Sequence, residues 1–213
     1  MQNNVFFITG IDTNIGKSYA TGYLAKKWNE EGYKVITQKF IQTGNIEDSE
    51  DILVHRQIMG IGKTQEDIDK ITAPIILTYP CSPHLAARID NTKIDLIKIK
   101  KSTDLLISKY DRVLIEGAGG LMVPITEDYF ILDYILEYTY PLILVTSGKL
   151  GSLNHTLLNL KLIKNYNINL YLVVFNECFE EYDDIISKDS FNFIKNYLKT
   201  NFPNTEIIRM PKL

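Results

Sequence analysis

The sequence predicts an α/β fold, a doubly wound and mostly parallel sheet in three layers, α/β/α. Three observations predict it. Short Val- and Ile-rich apolar runs alternate with longer stretches of helical period. Most of those runs are almost continuously apolar, as strands covered by helices on both faces must be. The first run leads directly into a Gly-containing turn, GIDTNIGKS at residues 10–18, which is the strand–turn–helix context of a phosphate-binding loop.

Strands are expected at 5–9, 34–38, 112–116, 142–146, 170–175 and 206–209. Residues 16–31 read as a helix that opens on the Gly turn and closes before Gly32, a suitable C′ residue. Segment 43–94, with Pro74, Pro80 and Pro83, is less regular and reads as two short helices plus loops over the sheet edge. Residues 95–110 place Leu96, Ile99, Thr103, Leu106 and Tyr110 on one helical face. Residues 153–165 do the same with Leu153, Leu157, Leu160 and Ile163. The β-α alternation implies right-handed crossovers. No repeat, low-complexity tract or linker interrupts the chain, so residues 1–213 are expected to form one domain, and 45% apolar content suffices for its core.

A formal charge of −3 gives no footing for nucleic acid or an anionic membrane as partner. Cys81 and Cys178 stand far apart and outside any C-x-x-C pair, which excludes a disulfide framework and a zinc site and suits a reducing compartment. The N-terminal apolar run is too short for a signal peptide, and the longest runs, 142–145 and 170–175, are of strand length. The expectation is a soluble, cytoplasmic protein.

The loop departs from the common G-x-x-x-x-G-K-[ST] pattern by one added residue: Ile11 to Ile15 separate Gly10 from Gly16. Its backbone N–H groups and the positive end of the following helix suit a phosphate. Lys17 is placed to reach the β- and γ-phosphates, and the Ser18 hydroxyl to bind Mg²⁺. The fold is then of the P-loop NTPase type. The added residue lets Asp12, Thr13 and Asn14 stand towards the acceptor of the γ-phosphate. The run 111–120 supplies a buried strand ending at Glu116, the position of a metal-holding acid, followed by Gly117, Gly119 and Gly120 for close backbone approach. Lys39, just past the second strand, is placed to neutralise a transferring phosphoryl group. Taken alone it reads as a solvated lysine before any catalytic one, and Asp51 as an acidic residue at a helix N-terminus. His84 and His155 are lone histidines better read as packed or capping imidazoles than as bases, and His55 is assigned to a helix surface.

At these residues the chain resembles the dethiobiotin synthetase family, ATP-dependent ligases of biotin biosynthesis. GIDTNIGKS resembles the family's G-T-D-T-x-x-G-K-T, added residue included. KFIQTG at 39–44 resembles K-P-x-x-[ST]-G, and SPH (82–84), EGAGG (116–120) and KLGSLNH (149–155) follow in the family's order. The resemblance runs from residue 5 to the end. It implies that Asn14, Ile15, Gly16, Lys17, Ser18 and Tyr19 wrap the phosphates of ATP. Ser18, Asp51 and Glu116 would hold Mg²⁺. Lys39 would be the catalytic lysine, assisted by Lys17, and Thr43 would contact the diamine substrate. Gly117, Ala118 and Gly119 would continue the nucleotide site, Asn176 and Glu177 would sit at the purine, and Pro211, Lys212 and Leu213 would line the same site. It also implies a homodimer in which Leu150 and Asn154 of one subunit reach the substrate of the other.

The implied reaction begins with 7,8-diaminononanoate and CO₂, which give a carbamate. ATP activates the carbamate oxygen, and the second amine closes the ring with loss of phosphate. Both partners of the transfer are anionic, so Lys17, Lys39 and Mg²⁺ screen them; no covalent protein intermediate is expected. Three departures stand out. Phe40 replaces the family's proline, implying a bulkier and less rigid loop. Ser18 replaces Thr, and Glu177 an Asp. The chain ends at Leu213, where relatives often continue into a further helix whose nucleotide contacts are then missing or replaced. Other small-molecule kinases of the P-loop type remain an alternative. A cobyrinate-type amide ligase would need a glutaminase domain, for which there is no room. A partition-type switch ATPase would carry a lysine where Asp12 and Thr13 stand.

Overall fold

The computed structural model describes residues 4–178 and 183–212. In chain order the elements are β1 (Val5–Gly10), α1 (Lys17–Glu30), β2 (Val35–Lys39), β3 (Gln42–Thr43), α2 (Glu50–Met59), α3 (Gln65–Ile68), β4 (Ile76–Leu77), α4 (Pro83–Ile89), α5 (Leu96–Ile107), β5 (Arg112–Glu116), α6 (Ile131–Tyr138), β6 (Leu142–Ser147), α7 (Ser152–Asn165), β7 (Leu170–Asn176), α8 (Asp184–Asn201) and β8 (Glu206–Met210).

All six expected strands are present and pair in parallel in the order β2-β5-β1-β6-β7-β8. The apolar runs explain the arrangement. Every residue of β1 and β6 is buried, which requires cover on both faces of the sheet. Because β1 is central, its C-terminal end opens between β5 and β6, and ligands of open α/β sheets bind outside the carboxyl ends of such strands.

The helices carry the signals anticipated for them, with differences. Gly32 takes φ +95° after the C-cap of α1, and Asp95 caps α5 by accepting from the Lys98 N–H. The buried face of α5 is Ile99, Ser102, Thr103 and Leu106. Segment 43–94 holds three helices rather than two, and adds β3 and β4, paired in parallel as a second small sheet. Ser49 accepts from the Ile52 N–H and αL Gly60 closes α2, so α2 is a full helix whose start and stop signals are both in place. The helices α6 and α8 were not anticipated from the pattern; α8 is largely polar, with Phe191, Ile194 and Leu198 as its apolar contribution to the core.

Candidate active site

The loop between β1 and α1 is held from behind. Gly16 adopts φ +91°, and a Cβ there would stand 2.4 Å from Asn176 Nδ2. Only glycine relieves both the left-handed backbone and that contact. The Asn176 amide, at the end of β7, donates to the Ile15 carbonyl at 3.0 Å, and its oxygen accepts from the Cys178 N–H at 2.9 Å. No acidic residue occupies the first turn of α1, so the helix's positive end faces the loop unopposed. Lys17 is mostly buried and donates to the Asp12 carbonyl at 2.9 Å. Burial pulls its pKa below the ordinary lysine value, with Glu116 and Asp51 opposing and Lys39 assisting that shift.

Beside the loop, strand register brings the charges together. Lys39 and Glu116 are register partners at the ends of β2 and β5. Lys39 Nζ donates to Glu116 Oε1 at 2.8 Å, to Asp51 Oδ2 at 2.5 Å and to the Gly117 carbonyl at 3.3 Å. Ser18 Oγ lies 2.7 Å from Asp51 Oδ1 and 3.0 Å from Glu116 Oε1. Burial works against the charged form of Lys39, but the two carboxylates outweigh it and hold its pKa above the usual lysine value. Burial also works against ionised Glu116; the Lys39 ammonium and the His55 hydrogen bond prevail and hold its carboxyl far below the usual range. A lysine read alone as solvated is therefore a buried ion-pair partner.

One expectation is overturned. His55 is not on a helix surface: it is fully buried, with Nε2 2.6 Å from Glu116 Oε2 and Nδ1 3.0 Å from Thr37 Oγ1. The signal was available, since Asp51 and His55 are four residues apart and so share one face of α2. Phe40 also differs from the expected loosened loop. Its ring is fully buried, 4.6 Å from that of Tyr134 and 5.5 Å from that of Phe7. Its N–H donates to the Glu116 carbonyl at 2.8 Å, a bond that proline, lacking the hydrogen, cannot make.

A cavity of about 670 Å³ opens over this cluster. Of the residues singled out in the sequence, Asn14, Gly16, Lys17, Ser18 and Tyr19 line it from the loop and α1. Lys39, Thr43, Asp51, Glu116, Ala118 and Gly119 line it from the strand ends and α2. Pro80, Cys81, Ser82 and Pro83 form a further wall; the SPH motif marked part of it. The neighbouring His84 leaves a buried Nδ1 without a partner. Ile15 lies in the core, and Gly117 is packed so closely that a Cβ would meet the Phe7 ring at 2.8 Å. Among the described residues no three His, Cys, Asp or Glu side chains cluster as a metal cage.

The family model described as an AAA domain matches residues 4–204. The ATP-dependent dethiobiotin synthetase BioD 2 of Pasteurella multocida is 52% identical over 201 residues, covering 94% of this chain and 94% of that protein. Its namesake from Haemophilus ducreyi is 49% identical, over 99% of this chain and 100% of its own length. The chain belongs to the dethiobiotin synthetase family. Solved structures of distant sequence share this fold. A putative plasmid partition protein of Borrelia burgdorferi bound to AMPPNP has a TM-score of 0.56 at 17% identity, over 100% of this chain and 89% of that one. A chain of the MinC:MinD cell division protein complex of Aquifex aeolicus also gives 0.56, at 14% identity, over 99% of this chain and 82% of that one. That likeness concerns the fold alone.

The remaining expected residues of this family member lie outside the cavity wall. Leu150 and Asn154 are exposed at the start of α7. Glu177 pairs with Arg209 at 2.5 Å, and the Arg209 guanidinium stacks over Phe191 at 3.9 Å. Pro211 and Lys212 are exposed beyond β8, and Leu213 lies outside the described residues.

Proposed function

We propose that the protein catalyses the ATP-dependent closure of 7,8-diaminononanoate and CO₂ to dethiobiotin, ADP and phosphate, as a single ligase domain. The observation that carries this is the convergence of Lys39, Asp51, Glu116 and Ser18 at the strand ends beside the phosphate loop, in a chain of this family.

The donors fit a hard divalent cation: one hydroxyl and two carboxylates, with further positions left for phosphate oxygens and water. Ser18, Asp51 and Glu116 would hold Mg²⁺, which when bound neutralises charge on the β- and γ-phosphates. The loop N–H groups and Lys17 bind the phosphates. Lys39 places its ammonium where the carbamate oxygen and the γ-phosphate meet, so that two anions can approach. Thr43, from β3, orients the diamine across the cavity, and holding the free amine next to the activated carbamate replaces a bimolecular encounter with an intramolecular one. Asn176 and Glu177, with residues 211–213, contribute the base end of the nucleotide site. Leu150 and Asn154 are assigned to a homodimer contact over the partner's substrate, consistent with a leucine that is 79% exposed. A cytoplasmic location agrees with two free cysteines and with an ATP-consuming step.

The test is phosphate release from Mg-ATP and bicarbonate with and without the diamine, followed by mass analysis. Release that requires the diamine, with a cyclised product one carbonyl heavier, is the expected result. Release indifferent to the diamine would reduce the assignment to a P-loop ATPase.

A further inference from the structure

We infer that His55 is a positioning residue for Glu116, setting which carboxylate oxygen turns toward the cavity. The inference rests on the proposed role of Glu116 as a metal ligand. It follows from the direction of one buried hydrogen-bond chain.

Arg56 only donates. Its Nη1 lies 2.8 Å from Thr37 Oγ1, so Thr37 accepts there and has its own proton left to give. The remaining neighbour of that hydroxyl is His55 Nδ1, at 3.0 Å. An ionised carboxylate only accepts, so at the other side of the ring Nε2 carries a proton and donates it to Glu116 Oε2 at 2.6 Å. The far end is fixed as well. Arg56 grips Asp67 with two bonds of 2.8 Å, and Asp67 also accepts from Thr72 Oγ1 and the Thr64 N–H. Thr37, His55, Arg56 and Glu116 are all essentially inaccessible to solvent, so bulk water does not reach this end of the chain.

The consequence falls on Glu116. Its Oε2 is taken by the ring, and Oε1 alone meets Lys39 and Ser18. The carboxylate therefore offers one oxygen, at a fixed torsion, to whatever Ser18 and Asp51 also hold. Without the Nε2–H, Oε2 is a buried acceptor without a donor, and the group turns to share both oxygens with Lys39.

Two variants of similar size separate positioning from mere filling of space. His55→Asn places its amide near the Nδ1 position, so it can keep Thr37 but falls short of Glu116. His55→Gln reaches the Nε2 position and keeps the donor. Mn²⁺ affinity of the ADP-bound protein is read by electron paramagnetic resonance, alongside thermal melts and the Mg²⁺ midpoint of turnover. His55→Asn is expected to weaken Mn²⁺ binding about tenfold or more, the usual loss for an outer partner of a metal ligand, with the KM for the diamine unchanged. His55→Gln is expected to stay within about threefold of the parent. Equal Mn²⁺ affinity in parent and His55→Asn, or equal weakening in both variants, would overturn the inference. If His55→Asn does not fold, His55→Gln decides: parent-like Mn²⁺ affinity supports it and a tenfold loss refutes it. A parent protein that binds Mn²⁺ with ADP but shows no diamine-dependent turnover would strike at the proposed reaction and leave the His55 result to stand on its affinities.

Discussion

Replacing Lys39 by methionine tests the charge cluster most directly, because the stem volume is kept while the ammonium is lost. Lys39 and Lys17 face Asp51 and Glu116, so the parent site balances two cations against two anions. The variant leaves one negative charge in excess, next to a carboxylate that is 1% exposed. Removing one partner of a buried pair costs about 3–5 kcal/mol. At roughly 2–4 °C per kcal/mol for a chain of this length, the melting temperature falls on the order of 6–20 °C. The loss has a predictable pH course. The folded-state pKa of Glu116 lies below its unfolded value of 4.5, so its stabilising contribution is complete above that pH and fades as pH falls. In Lys39→Met the deficit is therefore greatest near neutrality and shrinks in acid, as the Glu116 carboxylate takes up a proton. Lys39 itself, with a raised pKa, stabilises the parent below 10.5 and loses that contribution as pH rises through its folded value. Turnover falls by at least about 10²–10³, the usual loss for one electrostatic stabiliser, while ATP still binds. Scanning calorimetry from pH 2 to 7 and calorimetric ATP titration provide the readouts. A variant that melts within about 2 °C of the parent at pH 7 would show that Lys39 is not compensating buried charge.

Glu116→Gln should raise the Mg²⁺ concentration for half-maximal turnover at least about tenfold; an unmoved midpoint would take it out of the metal site. Gly16→Ala forces a Cβ against Asn176 at 2.4 Å in a left-handed backbone, and nucleotide affinity by calorimetry should fall with it. Asn176→Ala removes the brace on the Ile15 carbonyl, at about 1–3 kcal/mol of stability in a denaturant melt. Phe40→Pro deletes both the hydrogen bond to the Glu116 carbonyl and a buried ring. At least about 3 kcal/mol of lost stability is expected, and a variant as stable as the parent would show that neither contact matters. Asp67→Asn leaves Arg56 buried without its countercharge, and urea melts should show a loss of about 3–5 kcal/mol at pH 7.

What the sequence disclosed depends on how local the signal is. The six strands were legible because a strand buried on both faces must be apolar at nearly every position, as VFFITG and LILVTS are. Ser18, Lys39 and Glu116 stood out through motifs and strand ends, and Asp51 only through the family resemblance. Their mutual distances were not legible, because register between β2 and β5 is set by tertiary pairing. The chain from Asp67 through Arg56, Thr37 and His55 was missed for the same reason. Its members come from α3, α2 and β2, no motif joins them, and a buried His or Arg in sequence looks like a solvated one. α8 escaped because a helix covering one sheet edge needs only a narrow apolar stripe.

The central position of β1 also bears on how the chain is made. Val5–Gly10 is synthesised well before its neighbours in the finished sheet, Arg112–Glu116 and Leu142–Ser147. At roughly 5–20 residues per second, Phe7 waits on the order of ten seconds for Leu142. During that wait a strand destined for full burial carries two unpaired edges and apolar side chains on both faces. Pairings this distant in sequence also close slowly. Yield in the cell should therefore be limited less by the stability of the finished enzyme than by what shelters its first strand during synthesis.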